Sequence, residues 1–311
     1  MLISIVIPVC NESPNLDEIV QRLQKVLSGT KSNWEVIFVD DGSTDDSWQI
    51  IERLHQANPS FRGVRFARNF GQQAAISAGL SHARGDVVIP MDADLQDPPE
   101  LIPSLLEKWN EGYQVVYTRW KHRKEGILKK LTSALFYRFL DRIAEVNIDL
   151  DSSDFCLMDR KVVDAVNRLP ERRPFVRGLR SWVGFRHIGI VSDRGSRHRG
   201  ESKYGFRRLA SLALDGIFSF SITPVRFAIY LGAVCALLGV IGLIRVLLLV
   251  IGGKGFAPEF VTIVSLTLVL GGLQLACIGI VGEFIGRIFD QVKGRPPYVI
   301  QQTLPESPFK S

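Results

Sequence analysis

The chain has 311 residues and a formal net charge of +6 at pH 7, and 46% of its residues are hydrophobic. This length accommodates one large domain or a domain with an appendage. The mean hydropathy is only slightly positive, which excludes a chain built mainly of membrane spans. The basic residues gather at 119–130, at 172–208 and around two apolar runs. That placement favours phosphate groups at a membrane surface as the partner, and speaks against nucleic acid.

The N-terminus begins on an apolar run, without the basic segment and the small-residue cleavage site of a signal peptide. The cysteines are scattered and form no CxxC pair, so neither a zinc site nor a disulfide framework is predicted. They are expected to be buried, reduced thiols in a protein that faces the cytosol. They are Cys10, Cys156, Cys235 and Cys277.

Short apolar runs rich in β-branched residues alternate with helical patterns in the first part of the chain. The predicted strands are residues 2–7, 34–39, 63–66, 87–91 and 114–117, and the predicted helices are 14–27, 45–58, 72–82 and 99–109. This alternation predicts an α/β fold with βαβ units and a mostly parallel sheet. Ligands bind such sheets at the carboxyl ends of the strands. At those ends the chain carries polar clusters, which are residues 8–12, 40–45 and 92–97.

Asp92 and Asp94 follow the fourth predicted strand with one residue between them. Alternation along a strand puts both carboxylates on one side, where they can hold a hard divalent cation that also takes phosphate oxygens. Such a cation would neutralise a diphosphate leaving group. An Asp-x-Asp pair alone is weak evidence, but its place beside two other polar strand ends strengthens the hypothesis.

The other two clusters leave alternatives open. Asp40 and Asp41 follow the second predicted strand, and one of residues 43–45 is enough to cap the next helix. The two acids therefore suggest hydrogen bonds to the ring N–H and the hydroxyl groups of a nucleotide. Asn11 and Glu12 could contact the same ligand or only cap a helix. The sequence contains no GxGxxG or Walker-type loop, which weakens a dehydrogenase or P-loop NTPase interpretation.

Two basic amphipathic patterns, at 126–144 and 206–220, predict helices that pack on the sheet or lie in the lipid headgroup layer. Two apolar runs, 227–251 and 260–281, reach the roughly 20 residues that a membrane span needs, although two buried core helices are the alternative. The first run holds a single charge, Arg245, near its far end, from where it can reach the interface.

The linker between the two runs is short, so they form a hairpin. Basic residues flank this hairpin on both sides, while the linker offers only Lys254. The positive-inside rule therefore predicts a multi-pass protein of the inner (plasma) membrane, with the α/β domain and both termini in the cytoplasm. Glycine and alanine are frequent in both runs, which permits close helix packing and association of copies into a homo-oligomer.

Several motifs resemble those of family-2 glycosyltransferases and, more narrowly, of the polyprenyl-phosphate glycosyltransferases. This subgroup contains dolichol-phosphate mannose synthase and its bacterial glucosyl- and aminoarabinosyl-transferring relatives. The motifs are PVCNE at 8–12, DDGSTD at 40–45, RNFGQ at 68–72, DADLQDPPE at 92–100, GESKY at 200–204 and GEFIGR at 282–287. The resemblance covers nearly the whole chain. One departure is Cys10, which stands at a position that is often aromatic in relatives. We expect this difference to alter packing near the nucleobase of the donor.

The resemblance implies a GT-A fold and an inverting, single-displacement transfer of a sugar from a nucleotide diphosphate to a polyprenyl phosphate of the cell envelope. It implies that Asp92 and Asp94 bind Mg²⁺ or Mn²⁺, and that Asp94 takes part in catalysis. It also implies a set of residues that bind the nucleotide-sugar. These are Pro8, Asn11, Glu12, Asp40, Asp41, Asp92 and Gln96.

On the acceptor side, Asp154 is expected opposite the donor as a base or an orienting group, with a turn cap as the alternative. The resemblance implies a second set of residues that bind the acceptor phosphate or the diphosphate. These are Arg119, Arg199, Ser202 and Lys203, with Arg177 and Arg197 as weaker candidates.

The first choice of donor is UDP-glucose, with GDP-mannose, a UDP-N-acetyl sugar or UDP-aminoarabinose as alternatives. The first choice of acceptor is undecaprenyl phosphate. Other hypotheses are a processive or protein-directed glycosyltransferase, a membrane-tethered nucleotidyltransferase and a catalytically silent scaffold of the same fold. The predicted organisation is a GT-A domain at 1–205, a juxtamembrane helix at 206–224, two transmembrane helices within 225–286, and a cytoplasmic tail at 287–311.

Overall fold

The computed structural model describes residues 1–120, 152–171, 174–192, part of 228–252, and 259–305. The chain divides into two compact units: Met1–Ala210 with Arg295–Ser311, and Ser211–Gly294. Several predictions lie outside the described residues. They are the two amphipathic helices, much of the first apolar run with Arg245, and the phosphate-binding candidates Arg197, Arg199, Ser202 and Lys203.

Among the described residues, eight strands form one sheet in the order β7-β5-β6-β4-β1-β2-β3-β8. The strands are β1 Leu2–Val9, β2 Asn33–Asp40, β3 Phe61–Phe66, β4 Val87–Pro90, β5 Val115–Trp120, β6 Ser152–Asp159, β7 His187–Ser192 and β8 Ile300–Leu304. β4, β1, β2 and β3 run parallel, β6 runs antiparallel between β4 and β5, and β8 is antiparallel to β3. The predicted α/β class with a mostly parallel sheet is confirmed.

In the described part of the first unit, the helices are α1 Ser13–Ser28, α2 Ser47–Ala57, α3 Gln72–His82, α4 Ile102–Asn110, α5 Arg160–Asn167 and α6 Val176–Trp182. α3 has the predicted bounds. The predicted helix at 99–109 is instead a short 3-10 turn, Pro99–Leu101, followed by α4. Pro103 then lies in the first turn of α4, the one part of a helix that tolerates a residue without an N–H donor.

The core lies against β1, whose side chains on both faces are buried, among them Ile5 and Val6. α1 buries one face on this sheet because its apolar residues recur at helical spacing; they are Leu16, Ile19, Val20, Leu23 and Leu27. α3 packs so closely on the other face that a Cβ at Gly79 would lie 2.1 Å from Cγ1 of Val6. Such burial of both faces is typical of a parallel sheet covered by helices.

Some local predictions need correction. β1 continues to Val9, so Pro8 lies within the strand and pairs in register with Val39. β4 ends at Pro90, and Asp92 lies in the turn beyond it. Asp154 lies in β6 and not in a turn. β6 was not predicted, because its apolar part is short and its first residues are polar.

The cysteines form no disulfide, and all of them lie in the part of the chain that the structure describes. Cys156 is fully buried, as predicted, and this burial raises the pKa of its thiol. The expectation of burial is wrong for the other three, which are only partly buried. The position of Cys10 in a loop beyond β1 accounts for its partial exposure.

In the second unit, α7 Glu259–Val292 contains the predicted run 260–281 and continues beyond it. The predicted run ended at 281 because the charged residues Glu283 and Arg287 follow it. In the helix these two residues lie one turn apart and form an ion pair at 3.0 Å. Among the described residues, one helix is long and apolar enough to cross a membrane, Leu270–Val292, with a mean hydropathy of 1.5. The described residues from 228 to 251 are helical.

The residues after α7 rejoin the sheet of the first unit. β8 pairs with the edge of β3, from Gly63 opposite Leu304 to Phe66 opposite Ile300. Just before β8, the ring of Tyr298 stacks on that of Phe66, with centroids 4.9 Å apart. The segment predicted as a tail thus supplies one strand of the first unit.

Candidate active site

The loops that follow β1 and β2 are interlocked by hydrogen bonds. Asn11 has a left-handed backbone, with φ of 56°, and its side-chain oxygen accepts from the backbone N–H of Thr44 at 2.8 Å. The backbone N–H of Asn11 donates to the hydroxyl of Ser43 at 2.9 Å, and that of Glu12 donates to Ser47 at 3.1 Å. These contacts bring the first two predicted polar clusters together at the carboxyl end of the sheet.

Asp40 and Asp41 are both buried, with 0% and 2% exposure. Asp40 Oδ1 accepts from the backbone N–H of Ser43 at 3.0 Å. Its Oδ2 lies 3.3 Å from Nε of Arg65 but accepts no hydrogen bond from the described residues. The Asp41 carboxylate accepts from the backbone N–H groups of Phe70 at 2.6 Å and Gly71 at 2.9 Å. Asp41 therefore fixes the RNFGQ loop at the start of α3.

Gly42 packs closely against this loop. Its φ is +67°, and a Cβ there would lie 2.6 Å from the backbone carbon of Arg68. The side chain of Asn69 donates to the carbonyl of Asp41 at 3.2 Å and to Sγ of Cys10 at 3.3 Å. The loops after β1, β2 and β3 thus form one packed surface, and Cys10 is part of it.

The third polar cluster is a tight turn after β4. The backbone N–H of Asp92 donates to Asp97 at 3.1 Å, and that of Gln96 donates to Asp94 Oδ1 at 3.1 Å. Leu95 takes a left-handed conformation, with φ of 62°. The predicted nucleotide-binding residue Gln96 is itself buried, with 6% exposure.

Asp92 and Asp94 are partly buried, whereas Ala93 and Leu95 are buried in the core. The alternation that was predicted for a strand therefore persists in the turn, and it turns both carboxylates away from the core. Asp92 Oδ1 accepts from the side-chain amide of Gln72, the first residue of α3, at 2.6 Å. This bond links the turn to the loop that Asp41 holds.

Two carboxylates separated by one residue fit a divalent cation that keeps several of its waters and completes its shell with phosphate oxygens. The described residues contain no group of three or more His, Cys, Asp or Glu side chains placed to hold a metal ion. A cage built only of protein ligands is therefore absent from the described part of the chain, and the donor chemistry fits Mg²⁺ or Mn²⁺ shared with a ligand.

Asp154 on β6 forms an ion pair with Arg177 of α6, with Oδ2 3.1 Å from Nη2. β4 and β6 pair antiparallel, Val88 with Met158, so the turn after β4 and the start of β6 lie at the same edge of the sheet. Burial alone would lower the pKa of Arg177, but the Asp154 carboxylate, and after it that of Asp92, raises the pKa above its ordinary value. Asp154 is thus the ion-pair partner of the guanidinium, and the charge of Asp92 acts on its pKa in the same direction.

Arg119 on β5 pairs with Ser152, the first residue of β6. Its guanidinium is over the ring of Tyr117, 5.6 Å from the centroid, and donates to the Tyr117 hydroxyl at 3.2 Å. Arg180 of α6 lies over the same ring at 5.5 Å and donates to the carbonyl of Ser153 at 2.8 Å. Arg180 was not predicted as a site residue, because a buried arginine that supports a strand leaves no pattern in the sequence. Gln72 belongs to the RNFGQ motif, and its bond to Asp92 was not predicted either.

Comparison with known proteins identifies the chain. Residues 4–166 match the glycosyl transferase family 2, and residues 223–288 match the GtrB C-terminal hairpin. The chain is a family-2 glycosyltransferase. As such it is an enzyme with a GT-A-like catalytic domain, and the family of its C-terminal hairpin agrees with the predicted polyprenyl-phosphate subgroup.

This glycosyltransferase is 43% identical over 301 residues to the uncharacterized glycosyltransferase YkcC of Bacillus subtilis, a match that covers 96% of this chain and 93% of the relative. It is 39% identical over 308 residues to the SfII prophage-derived bactoprenol glucosyl transferase of Shigella flexneri, covering 97% and 98%. A solved structure of glucosyl-3-phosphoglycerate synthase from Mycobacterium tuberculosis, in complex with Mn²⁺, UDP-glucose and phosphoglyceric acid, is 20% identical, with 70% and 77% coverage and a TM-score of 0.47.

Proposed function

We propose that this glycosyltransferase transfers glucose from UDP-glucose to a polyprenyl phosphate, with undecaprenyl phosphate as the acceptor of first choice. The observation that carries the proposal is the similarity to relatives named bactoprenol glucosyl transferase, at 39% identity over 97% of this chain and 98% of the relative. The similarity extends over the catalytic domain and the C-terminal hairpin together, so it includes the part that would meet a lipid acceptor.

The donor side of the proposed site lies where the loops after β1, β2, β3 and β4 meet. Asp92 and Asp94 would hold Mg²⁺ or Mn²⁺, and the bound cation would neutralise the charge of the diphosphate leaving group. Asp41 and Gln72 keep the surrounding loop in place through backbone and side-chain hydrogen bonds. The nucleotide roles of Pro8, Asn11, Glu12, Asp40, Asp41 and Gln96 stay proposals; in the structure, several of these side chains brace the loops of the site.

The acceptor side is proposed around Asp154 and Arg119. In a single displacement, an oxygen of the acceptor phosphate forms the bond to the anomeric carbon while the bond from that carbon to the diphosphate breaks. The electron pair of the broken bond leaves with the nucleoside diphosphate, and the configuration inverts. A phosphate monoester is already ionised at neutral pH, so no strong base is required. Asp154 would orient the acceptor by accepting a hydrogen bond from the P–OH group of its monoanion. The cationic side chain of Arg119 would pair with its phosphate.

The path of the chain supports the proposed membrane topology. The first unit contains both the residues before the hairpin and strand β8 after it, and β8 pairs directly with β3. A segment that leaves a domain and returns to it on the same side of a membrane crosses that membrane an even number of times. We therefore propose two spans in the inner membrane, with both termini in the cytoplasm. Association of copies through the small-residue faces stays a prediction.

This topology predicts opposite compartments for residue 254 and the C-terminus. Green fluorescent protein fused after Ser311 should fluoresce in cells, because it folds in the cytoplasm, and alkaline phosphatase inserted at Lys254 should be active, because it requires the periplasm. The converse fusions serve as controls. Active alkaline phosphatase after Ser311 would contradict the hairpin.

A panel of labelled donors tests the proposed reaction. Membranes that contain the protein are incubated with radiolabelled UDP-glucose, GDP-mannose, a UDP-N-acetyl sugar or UDP-aminoarabinose, and the lipids are extracted. With UDP-glucose, we expect more label in the extracted lipid than membranes of cells that lack the gene produce. If only another donor labels the lipid, the proposed sugar is wrong and the proposed acceptor stands. No labelled lipid from any donor would contradict the function and favour a silent scaffold.

A further inference from the structure

We propose that Arg177 is a positioning residue with two opposed effects: it orients Asp154 for the acceptor, and its positive charge weakens the binding of the divalent cation at Asp92 and Asp94. The proposal rests on the proposed function. From the sequence alone, Arg177 was only a weak candidate for phosphate binding, whereas the structure gives its guanidinium a carboxylate partner.

The contact between Arg177 and Asp154 uses two atoms on each side. Nε donates to Oδ1 at 3.3 Å, and Nη2 lies 3.1 Å from Oδ2. A forked contact of this kind fixes the plane of a carboxylate, which a single ammonium group cannot do. The side chains of Arg177 and Asp154 are 27% and 19% exposed, so solvent screens the pair less than it screens a surface ion pair.

Arg177 is also tied to the donor side of the site. The backbone N–H of Val176, which begins α6, donates to the side-chain oxygen of Gln73 at 3.0 Å. Gln73 follows Gln72 on α3, and Gln72 donates to Asp92. The start of α3 therefore holds both the metal-site carboxylate and the helix that carries Arg177.

The charge of Arg177 reaches beyond its direct partner. Asp92 accepts a hydrogen bond from Gln72, and the neighbouring Gln73 accepts one from the backbone N–H of Val176, so the start of α3 keeps Arg177 near Asp92. The carboxylate of Asp92 is accordingly among the charges that raise the pKa of Arg177. By the same interaction, a guanidinium near Asp92 repels a divalent cation bound there. Removal of the charge should therefore strengthen cation binding, although it weakens catalysis.

The proposal predicts that loss of Arg177 lowers kcat but raises the affinity for Mn²⁺, and a merely structural role would not produce this combination. For Arg177→Ala we expect kcat to fall about 10- to 100-fold because Asp154 loses its orientation, while KM for UDP-glucose changes less than about twofold. We expect the Kd of Mn²⁺, without any donor, to fall roughly two- to fivefold. A variant that only damaged the fold would bind Mn²⁺ more weakly or not at all.

Two further variants still test the proposal if Arg177→Ala folds poorly. Arg177→Lys keeps the charge and loses the fork, so its Mn²⁺ affinity should equal that of the wild type while kcat falls about tenfold. Arg180→Met removes a buried charge from the same helix, from a residue that contacts a carbonyl of Ser153. Its Mn²⁺ affinity should not change.

The experiment titrates detergent-purified full-length protein into Mn²⁺ and follows free Mn²⁺ by its electron paramagnetic resonance signal, with kcat and KM measured on the same samples. Tighter Mn²⁺ binding by Arg177→Ala together with a lower kcat supports the proposal. Unchanged or weaker Mn²⁺ binding by a folded Arg177→Ala, or wild-type kcat in Arg177→Lys, overturns it. A wild-type protein that labels no lipid overturns the proposed function instead, and the Mn²⁺ titration still reports on the charge of Arg177.

Discussion

Asp94→Asn is expected to lower kcat/KM for glucose transfer about 100- to 1,000-fold, the loss that follows when one group stabilising the charge of a transition state is removed. Asparagine keeps an oxygen that can accept from the backbone N–H of Gln96, as Asp94 does at 3.1 Å. The turn after β4 should therefore fold as before, and only the negative charge that would attract the cation is lost. Steady-state transfer assays at several Mn²⁺ concentrations measure the effect.

A matched control separates this loss from a general effect of removing an acid. Asp17 is exposed on α1 and pairs with Arg53 at the surface, so Asp17→Asn should keep wild-type activity. Asp94→Asn should also need more Mn²⁺ than the wild type for half-maximal rate. Near-normal activity of Asp94→Asn, with the same Mn²⁺ requirement as the wild type, would remove the metal site from the mechanism.

Gly42→Ala is expected to have the largest effect on stability among single-methyl changes in the site. Its backbone has φ of +67°, and the added Cβ would meet Arg68 and Asn69 backbone atoms at 2.6 and 2.7 Å. A left-handed residue with a Cβ costs about 1–2 kcal/mol, and overpacking adds about 1–3 kcal/mol. The loop after β3 would have to move, and with it Gln72 at Asp92. Thermal unfolding in detergent should show an apparent midpoint roughly 5–15 °C lower.

Gly184→Ala serves as the control for backbone strain without a clash. Gly184 has φ of +75°, but an added Cβ would lie 4.0 Å from its nearest neighbour, the carbonyl oxygen of Trp182. Only the strain of about 1–2 kcal/mol therefore applies. The difference between the two variants measures the close packing of Gly42 against the RNFGQ loop. Equal losses in the two variants would show that this packing contributes nothing.

The sequence was sufficient to predict the elements that repeat a simple pattern. Apolar β-branched runs alternating with helical patterns predicted the parallel strands β1 to β4, and α3 has the predicted bounds. The polar clusters after β1, β2 and β4 do converge, because the carboxyl ends of neighbouring parallel strands meet at one edge. Family membership agrees with the resemblance that these motifs carried.

What the sequence did not reveal depends on contacts between distant residues. β8 is short and mostly polar, and it becomes a strand only because the edge of β3 offers it a partner. The hydrogen bonds of Asp41 to Phe70 and Gly71 join residues far apart in the chain. An acidic motif at a strand end therefore predicts a ligand contact as readily as a loop brace. The pairing of Asp154 with Arg177 likewise depends on how α6 packs on β6.

Transfer by the purified protein tests the central claim most directly. Wild-type protein in detergent is given UDP-[¹⁴C]glucose and undecaprenyl phosphate, first with a chelator and then with excess Mn²⁺. A site built on Asp92 and Asp94 predicts organic-phase label with Mn²⁺, none with the chelator, and recovery when Mn²⁺ is restored. Label that forms equally in the chelator would contradict the metal site, and its absence under every condition would contradict transfer from UDP-glucose to the lipid phosphate.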